Sequence, residues 1–194
     1  MLDQLLLASM DVKVLPRIGP GAASSGRYLK RVIRWVGSGF TWEADPKHVG
    51  RVLELLDLGD AKPADTPGTN STGVAMRDSL EPLVGDELAM FPQIGGLLNY
   101  VAIDRPDIQY ATKECGRGMS APKTVDEWKV RHELRCLPHH RKMEMLFEMD
   151  GPPEVITVSC DADWAGDQRT RRSTSGGVIE IGKVMVQTYS RTQG

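Results

Sequence analysis

The stretch Glu154–Asp167 reads EVITVSCDADWAGD, and its apolar β-branched residues recur in the manner of an extended strand. Odd-numbered positions of such a strand share one face and even-numbered positions share the other, because successive side chains point to opposite sides. Two further β-rich segments, Ser173–Ile181 and Val184–Ser190, flank Gly182-Lys183, with glycine where a type II′ turn favours it. The stretch therefore predicts the first strand of a three-stranded antiparallel meander, which is marginally stable in water unless a helix covers it.

A second β-rich region lies near the beginning of the chain. Arg27–Val36 and Phe40–Glu43 are rich in aromatic and β-branched residues, and they flank the short glycine loop Gly37–Gly39. This pattern predicts two strands that form a β-hairpin.

Helical periodicity marks the middle of the chain. Asp45 and Pro46 supply an N-cap and a first-turn proline for a helix that Gly59 ends. Thr124–Glu127 has the pattern of a capping box, so another helix is expected to begin at Thr124 and to end near Pro138. Three apolar stripes at helical spacing predict packed faces: Val49, Val52, Leu53 and Leu56; Ile94, Leu97, Leu98 and Val101; and Ile108, Ala111, Thr112 and Cys115.

Together these patterns predict an α+β chain in three parts. Residues 1–68 hold the hairpin and the first helix, residues 69–150 are helical, and residues 151–194 hold the meander. The segment Lys62–Gly73 is rich in helix and strand breakers and makes the best internal linker.

The composition is that of an ordinary globular protein, with 40% hydrophobic and 26% charged residues in 194. A net charge of -2 creates no global attraction to nucleic acid, so any such contact must come from local basic clusters. Three scattered cysteines fit free thiols in a reducing compartment. Because Met1–Leu7 lacks a positive n-region and no long apolar segment follows, we expect no secretory signal, no membrane contact and a cytoplasmic location.

Three groups of residues carry a resemblance to known proteins: Cys160–Asp167 with Arg171–Gly177 in the meander; Gly96–Tyr100 with Arg105–Ile108 and Met119–Pro122 in the helical region; and Tyr28–Arg31 with Ala44–Val49 in the hairpin region. All three resemble one family, the Pol polyproteins of copia-type LTR retrotransposons. The meander group resembles the start of the family's ribonuclease H domain, and the helical group resembles the connection from its reverse transcriptase. The hairpin group resembles its primer-terminus hairpin and first thumb helix.

The resemblance implies a parent protein that performs RNA-directed DNA synthesis and hydrolyses the RNA strand of RNA/DNA hybrids. It implies Mg²⁺ as cofactor of that parent, and primer-template or RNA/DNA hybrid and the remainder of the Pol polyprotein as partners. It also implies that the parent acts in virus-like particles and the nucleus as well as in the cytoplasm. The fold implied is the end of a reverse transcriptase, a helical thumb and connection region, and a truncated ribonuclease H-like meander.

The chain also departs from the family pattern. The paired aspartates of the family's polymerase, in a Tyr-x-Asp-Asp hairpin, are absent from the sequence. Of the four carboxylates that the family's ribonuclease H uses, the first resembles Asp161, and the second belongs to a helix after the third strand. We therefore expect Asp161 to be the catalytic and metal-binding residue of a partial site, with Asp163 as a candidate second ligand, and no activity or firmly bound metal in the chain alone.

Two basic clusters are candidates for weak contacts with phosphates, which require several cations on one surface. Solvated strand and loop faces explain most such charge runs, so this alternative stays open. Imidazole and thiolate groups, the usual ligands of zinc, occur at His132, Cys136, His139 and His140 with Cys115, but their spacing fits no standard zinc finger. The residues of the two clusters are Arg27, Lys30, Arg31 and Arg34, and Arg169, Arg171 and Arg172.

Two other functions fit the same residues. One is a free-standing metal-dependent nuclease that uses Asp161, Asp163 and Asp167. The other is a non-catalytic structural or interaction remnant. Whether a glutamate-bearing helix follows the third strand in the full reading frame distinguishes the free-standing nuclease from a polyprotein fragment. Salt-dependent binding to an RNA/DNA hybrid distinguishes the polyprotein fragment from a non-catalytic remnant.

Overall fold

The computed structural model describes residues 7–11, 13–65, 67, 81–149, 151–167 and 170–194. Much of the predicted linker Lys62–Gly73 lies outside these residues. The described part has the α+β class predicted from the sequence, with one four-stranded and one three-stranded antiparallel sheet. The division into three domains remains a prediction, as does the ribonuclease H-like assignment of the meander.

The first sheet has the strand order β1-β2-β3-β4. Its strands are β1 Ser25–Tyr28, β2 Arg31–Trp35, β3 Gly39–Glu43 and β4 Glu144–Glu148. The helical region comprises α1 Pro46–Leu55, α2 Gly85–Ala102, α3 Gln109–Gly116 and α4 Thr124–Glu133, with 3-10 turns at Pro106–Ile108 and Leu134–Cys136. The second sheet is a meander of β5 Ile156–Ala162, β6 Thr174–Ile181 and β7 Val184–Thr192.

The predicted two-stranded hairpin is a three-stranded meander. The segment Arg27–Val36 bends between Tyr28 and Arg31, and β1 pairs with β2. Leu29 and Lys30 form the turn with φ of 48° and 69°. This left-handed conformation is common in tight hairpin turns but normally occupied by Gly, Asn or Asp, so no residue type signalled the turn.

A fourth strand completes this sheet from within the region predicted to be helical. Strand β4 pairs with β3, with Phe40 opposite Phe147 and Trp42 opposite Met145. Gly39 is required at this pairing, because a Cβ there would lie 2.0 Å from the Phe147 carbonyl oxygen. The sequence predicted a helical region over residues 69–150 and did not predict strand β4 at its end.

Helix α1 begins as predicted, with the Asp45 carboxylate accepting a hydrogen bond from the Lys47 amide at 3.0 Å. It ends earlier than Gly59, because Asp57 adopts a φ of 51° and the Leu58 amide donates to the Leu53 carbonyl at 2.9 Å. These contacts form a Schellman motif with aspartate at the position that glycine usually takes.

Helix α4 begins at Thr124 as predicted, but a different pair of groups caps it. The Lys123 backbone amide donates to the carboxylate of Asp126 at 3.0 Å, so the predicted pairing of Thr124 with Glu127 is wrong by one position. The helix ends at Glu133, before Pro138, and continues as a 3-10 turn.

The core lies between the helices and confirms the three apolar stripes. Leu97 lies at the edge of this core, whereas the other members of the stripes are buried. The cluster comprises Val49, Val52, Leu53, Leu56, Leu58, Leu83, Phe91, Ile94, Leu98, Val101, Ala102, Ile108, Cys115, Val130, Leu134, Cys136 and Leu137.

Arg31 joins the first sheet to the helices. Its side chain is buried, and Nε donates to Asp104 Oδ2 at 2.7 Å. The guanidinium lies over the rings of Trp42 and Tyr100, at 5.8 and 5.2 Å from their centroids, and Trp42 Nε1 donates to Asp104 Oδ1 at 3.1 Å. Asp104 lies two residues beyond the end of α2, so this network fixes the sheet against the end of that helix.

Arg105 performs a similar role inside the helical region. Only 1% of its surface is exposed, and it binds Asp107 through Nε and Nη2 at 2.9 and 2.7 Å. Its Nη1 donates to the His140 carbonyl at 2.7 Å. Arg105-Pro106-Asp107, one of the motifs that carry the family resemblance, therefore shapes the turn between α2 and α3. Arg105 also binds the segment at His140 that leads to β4.

The meander matches its prediction, including the turn at Gly182, which has a φ of 61°. It contacts α3 through polar groups: Lys113 Nζ donates to Thr174 Oγ1 at 2.7 Å, and Arg117 Nη1 lies 3.2 Å from the Asp167 carboxylate. Strand β5 is exposed on both faces, with 67% of Ile156 accessible to solvent.

Replacing Arg31 by alanine is expected to lower the free energy of unfolding by about 3–5 kcal/mol, because Asp104 then stays buried without its partner. Arg27→Ala on the adjoining strand is the matched control, and because that side chain is exposed its effect should stay within about 0.5 kcal/mol. Urea unfolding followed by circular dichroism measures both. Equal losses in the two variants would show that the Arg31–Asp104 contact does not hold the sheet in place.

Candidate functional site

Asp161 lies near the end of β5, opposite Gly176 of the central strand β6. Its side chain is exposed, as is the whole of β5. The opposing strand carries two adjacent glycines, and Tyr189 of β7 lies over the second of them, 2.5 Å from where a Cβ of Gly177 would be. The strand thus presents the carboxylate of Asp161 at an open sheet edge.

The sequence predicted that Asp163 shares a strand face with Asp161, but in the structure it does not lie on that strand. Strand β5 ends at Ala162, so the alternation of faces does not extend to Asp163. Its Oδ1 accepts a hydrogen bond from the Thr174 amide at 2.6 Å. This bond, and further that from the Gly166 amide, lowers the pKa of Asp163. The carboxylate therefore fastens the β5–β6 connection at its base.

Gly166 is required for this arrangement, because a Cβ at that position would lie 2.2 Å from the Asp163 carboxylate. Asp167 is also engaged, through its ion pair with Arg117. No group of three or more His, Cys, Asp or Glu side chains that could hold a metal ion occurs among the described residues. Metal binding by Asp161 with Asp163 thus remains a prediction.

The zinc hypothesis has no support in the geometry. Cys115 and Cys136 are buried in the apolar core, where burial raises the pKa of the Cys136 thiol. His132 stacks on Trp128 with a centroid distance of 4.9 Å, and burial and the charge of Arg135 lower the pKa of this imidazole.

The first basic cluster is divided between the two faces of its sheet. Arg31 lies on the same face as Trp42 and is buried against the helices, whereas the strand register places Arg27 and Arg34 on the opposite face. Arg27 and Lys30 are exposed. The four cations therefore do not form one surface, and Arg31 is a structural residue.

Arg34 is occupied by carboxylates. Its Nη1 donates to Glu144 Oε1 at 3.0 Å, and Nη2 lies 2.5 Å from Glu43 Oε2. Burial alone would raise the pKa of Glu43, but the hydrogen bond and charge of Arg34, with the charge of Lys142, outweigh it and lower that pKa. Glu43 lies on the adjacent strand β3 and Glu144 on β4 beyond it, and the spacing of the sequence did not reveal the contact with β4.

The second basic cluster lies in the β5–β6 connection. Arg171 and Arg172 are exposed, and neither pairs with a carboxylate among the residues that the structure describes. Arg169 lies outside the described residues. Sequence reasoning missed Lys113 and Arg117, whose spacing of four residues places them on one face of the end of α3, where both reach the meander.

No family model and no solved structure matches the chain. Its sequence is nevertheless similar to curated proteins, among them several retrovirus-related Pol polyproteins of transposons. The chain is homologous to retrovirus-related Pol polyproteins of copia-type transposons, which confirms the resemblance seen in the sequence.

Three relatives illustrate the similarity. The Pol polyprotein from transposon RE2 of Arabidopsis thaliana is 31% identical over 146 residues, or 73% of this chain and 10% of its own length. That from transposon TNT 1-94 of Nicotiana tabacum is 27% identical over 194 residues, or 97% of this chain and 14% of its own length. The mitochondrial protein AtMg00810 of Arabidopsis thaliana is 27% identical over 147 residues, covering 76% of this chain, which spans 59% of that relative.

None of the helices that the structure describes is both long enough and apolar enough to cross a membrane.

Because the Thr174 amide donates a hydrogen bond to the Asp163 carboxylate, the chemical shift of this amide reports whether that carboxylate is charged. Because the hydrogen bonds of Asp163 favour the carboxylate, the Thr174 amide resonance should stay constant from neutral pH downward and shift only below about pH 3.8, the ordinary value for aspartate. Two-dimensional NMR of the labelled chain measures this. Asp163→Asn should abolish the shift and Asp161→Asn should preserve it; a midpoint above the ordinary value would contradict the assigned role of Asp163.

Proposed function

We propose that this chain is a portion of a retrotransposon reverse transcriptase/ribonuclease H polyprotein, from the end of the polymerase to the first strands of the ribonuclease H domain. The observation that carries the proposal is Asp161, which stands exposed on the first strand of a three-stranded antiparallel meander in a chain homologous to Pol polyproteins. The parent activities that follow are RNA-directed DNA synthesis and hydrolysis of RNA in RNA/DNA hybrids.

The chain alone is proposed to lack both activities. Hydrolysis by two Mg²⁺ ions requires ions about 4 Å apart, bridged by several carboxylates. Within the described residues Asp161 has no such companions, since Asp163 binds backbone amides and Asp167 binds Arg117. No hydrolytic step is therefore assigned to this chain, and Mg²⁺ is a cofactor proposed for the intact parent.

The exposed apolar residues of β5 support a role for the remainder of the polyprotein. Ile156 and Val158 of β5, and Val155 just before it, are each exposed by more than half, although side chains of this type are usually buried in a folded domain. A sheet in this state gains stability when a further element covers it. We infer that other parts of the polyprotein supply that cover together with the missing carboxylates.

Weak contacts with a primer-template or RNA/DNA hybrid are proposed for four exposed cations: Arg27 and Lys30 at the first hairpin turn, and Arg171 and Arg172 in the meander. Arg31 and Arg34 are not among these cations, because their guanidinium groups are paired with the carboxylates of Asp104 and Glu43. The cytoplasm, with virus-like particles and the nucleus for the parent, is the proposed location.

A free-standing nuclease that uses Asp161, Asp163 and Asp167 is the less favoured function, because two of these three carboxylates already have structural partners.

Grafting residues 151–194 in place of the corresponding strands of an active copia-type ribonuclease H tests the proposal. The graft is expected to cleave the RNA strand of a hybrid, and Asp161→Asn should abolish cleavage because it removes a negative charge that would help to hold the catalytic Mg²⁺. Asp167→Asn is the matched control and should change the rate less than about tenfold, a barrier change of about 1.4 kcal/mol. Equal losses from both substitutions, or cleavage by the ungrafted chain, would contradict the proposal.

A further inference from the structure

Trp164 is the most exposed large apolar side chain of the described residues, with 93% of its surface accessible. It lies in the β5–β6 connection, immediately after Asp163. Large aromatic side chains normally bury most of their surface, and an indole left in water lends itself to contact with a flat partner. Neither the core nor the partial catalytic site uses this residue.

The backbone around Trp164 is held firmly. The Asp163 amide donates to the Thr174 carbonyl at 3.1 Å, and the Asp163 carboxylate accepts the Thr174 amide in return. The Ala165 amide donates to Ser173 Oγ at 3.0 Å. Both neighbours of Trp164 are thus fixed to β6 or to the residue before it. A partner that binds the indole meets a preformed platform and has little backbone to order.

Two arginines lie on the opposite limb of the same connection. The Asp167 amide donates to the Arg172 carbonyl at 3.1 Å, and the Arg171 amide donates to the Asp167 carbonyl at 2.7 Å. The hydrogen bond from the Ala165 amide to Ser173 joins the two limbs of the connection. Trp164 precedes Ala165 and Arg172 precedes Ser173, so each lies next to one end of this bond. The Asp167 carboxylate is paired with Arg117, so it does not cancel the charge of the two exposed guanidinium groups.

We propose that Trp164, Arg171 and Arg172 form a binding site for single-stranded nucleic acid, in which the indole stacks on a base and the arginines contact the neighbouring phosphates. An aromatic platform beside exposed cations is the combination that recognises unpaired nucleotides without sequence preference. The inference deepens the proposed function and rests on it, since it assigns the nucleic-acid contact of the meander to a stacked base in addition to phosphates.

The test measures binding of a fluorescein-labelled 12-nucleotide oligo(U) to the full chain by fluorescence anisotropy at about 50 mM salt. Trp164→Ala should weaken binding by about five- to hundredfold, and Trp164→Phe should retain most of the affinity because it keeps an aromatic face. Trp128→Ala is the matched control on helix α4 and should bind like the unaltered chain. Circular dichroism of each variant verifies the fold.

The double variant Arg171→Ala/Arg172→Ala should reduce the slope of log affinity against log salt by about 1.4, or about 0.7 for each phosphate contact with a single strand. Absence of oligo(U) binding by the unaltered chain, or equal affinity of Trp164→Ala and the unaltered chain, would overturn the proposed site.

A hybrid duplex in the same assay separates this inference from the proposed function. If Trp164→Ala binds oligo(U) normally while the double arginine variant loses salt dependence on the hybrid, the stacking site is refuted and the phosphate contacts of the proposed function stand. If neither nucleic acid binds, the stacking site and those phosphate contacts both fail.

Discussion

The buried ion pair between Arg31 and Asp104 is the contact on which the placement of the first sheet depends. It joins a strand to the end of α2 across 73 residues of sequence, and Trp42 donates a second hydrogen bond to the same carboxylate. Removing one partner of such a pair leaves a charge in a poorly solvated place, which costs far more than the intact pair contributes. Arg31 therefore holds the sheet over the helices, and this cation, which the sequence analysis assigned to nucleic-acid contact, is buried and paired.

The meander is attached in a different way. Polar groups of α3, chiefly Lys113 and Arg117, reach Thr174 and Asp167, while the apolar residues of β5 stay in water. Polar contacts of this kind add less stability than a shared apolar core. The part of the chain that carries Asp161 is thus the part whose packing is least complete, in keeping with the proposal that the rest of a Pol polyprotein completes the catalytic site.

Local patterns in the sequence predicted the features that depend on local physics. The stripe through Val52 and Leu56, the cap at Asp45 and the glycine turn at Gly182 all follow from spacing or backbone freedom of neighbouring residues. The turn at Leu29-Lys30 escaped prediction because residues with side chains adopt a conformation typical of glycine. Strand β4 and the contact of Arg34 with Glu144 were not predicted, because they join residues more than 100 positions apart, which no local periodicity records. Similarity to Pol polyproteins suggested Asp161 but could not show that Asp163 binds the backbone.

Native-state hydrogen exchange followed by mass spectrometry tests most directly the claim that a well-packed sheet-and-helix portion carries an incompletely packed meander. Peptides from α2, β3 and β4 should exchange slowly and at similar rates, because the Arg31 network and the helical core open together. Peptides from β5 should exchange considerably faster, since one edge of that strand is unpaired and both of its faces are solvated. Protection of β5 equal to that of α2, or rapid exchange of β4 while β3 stays protected, would contradict the account.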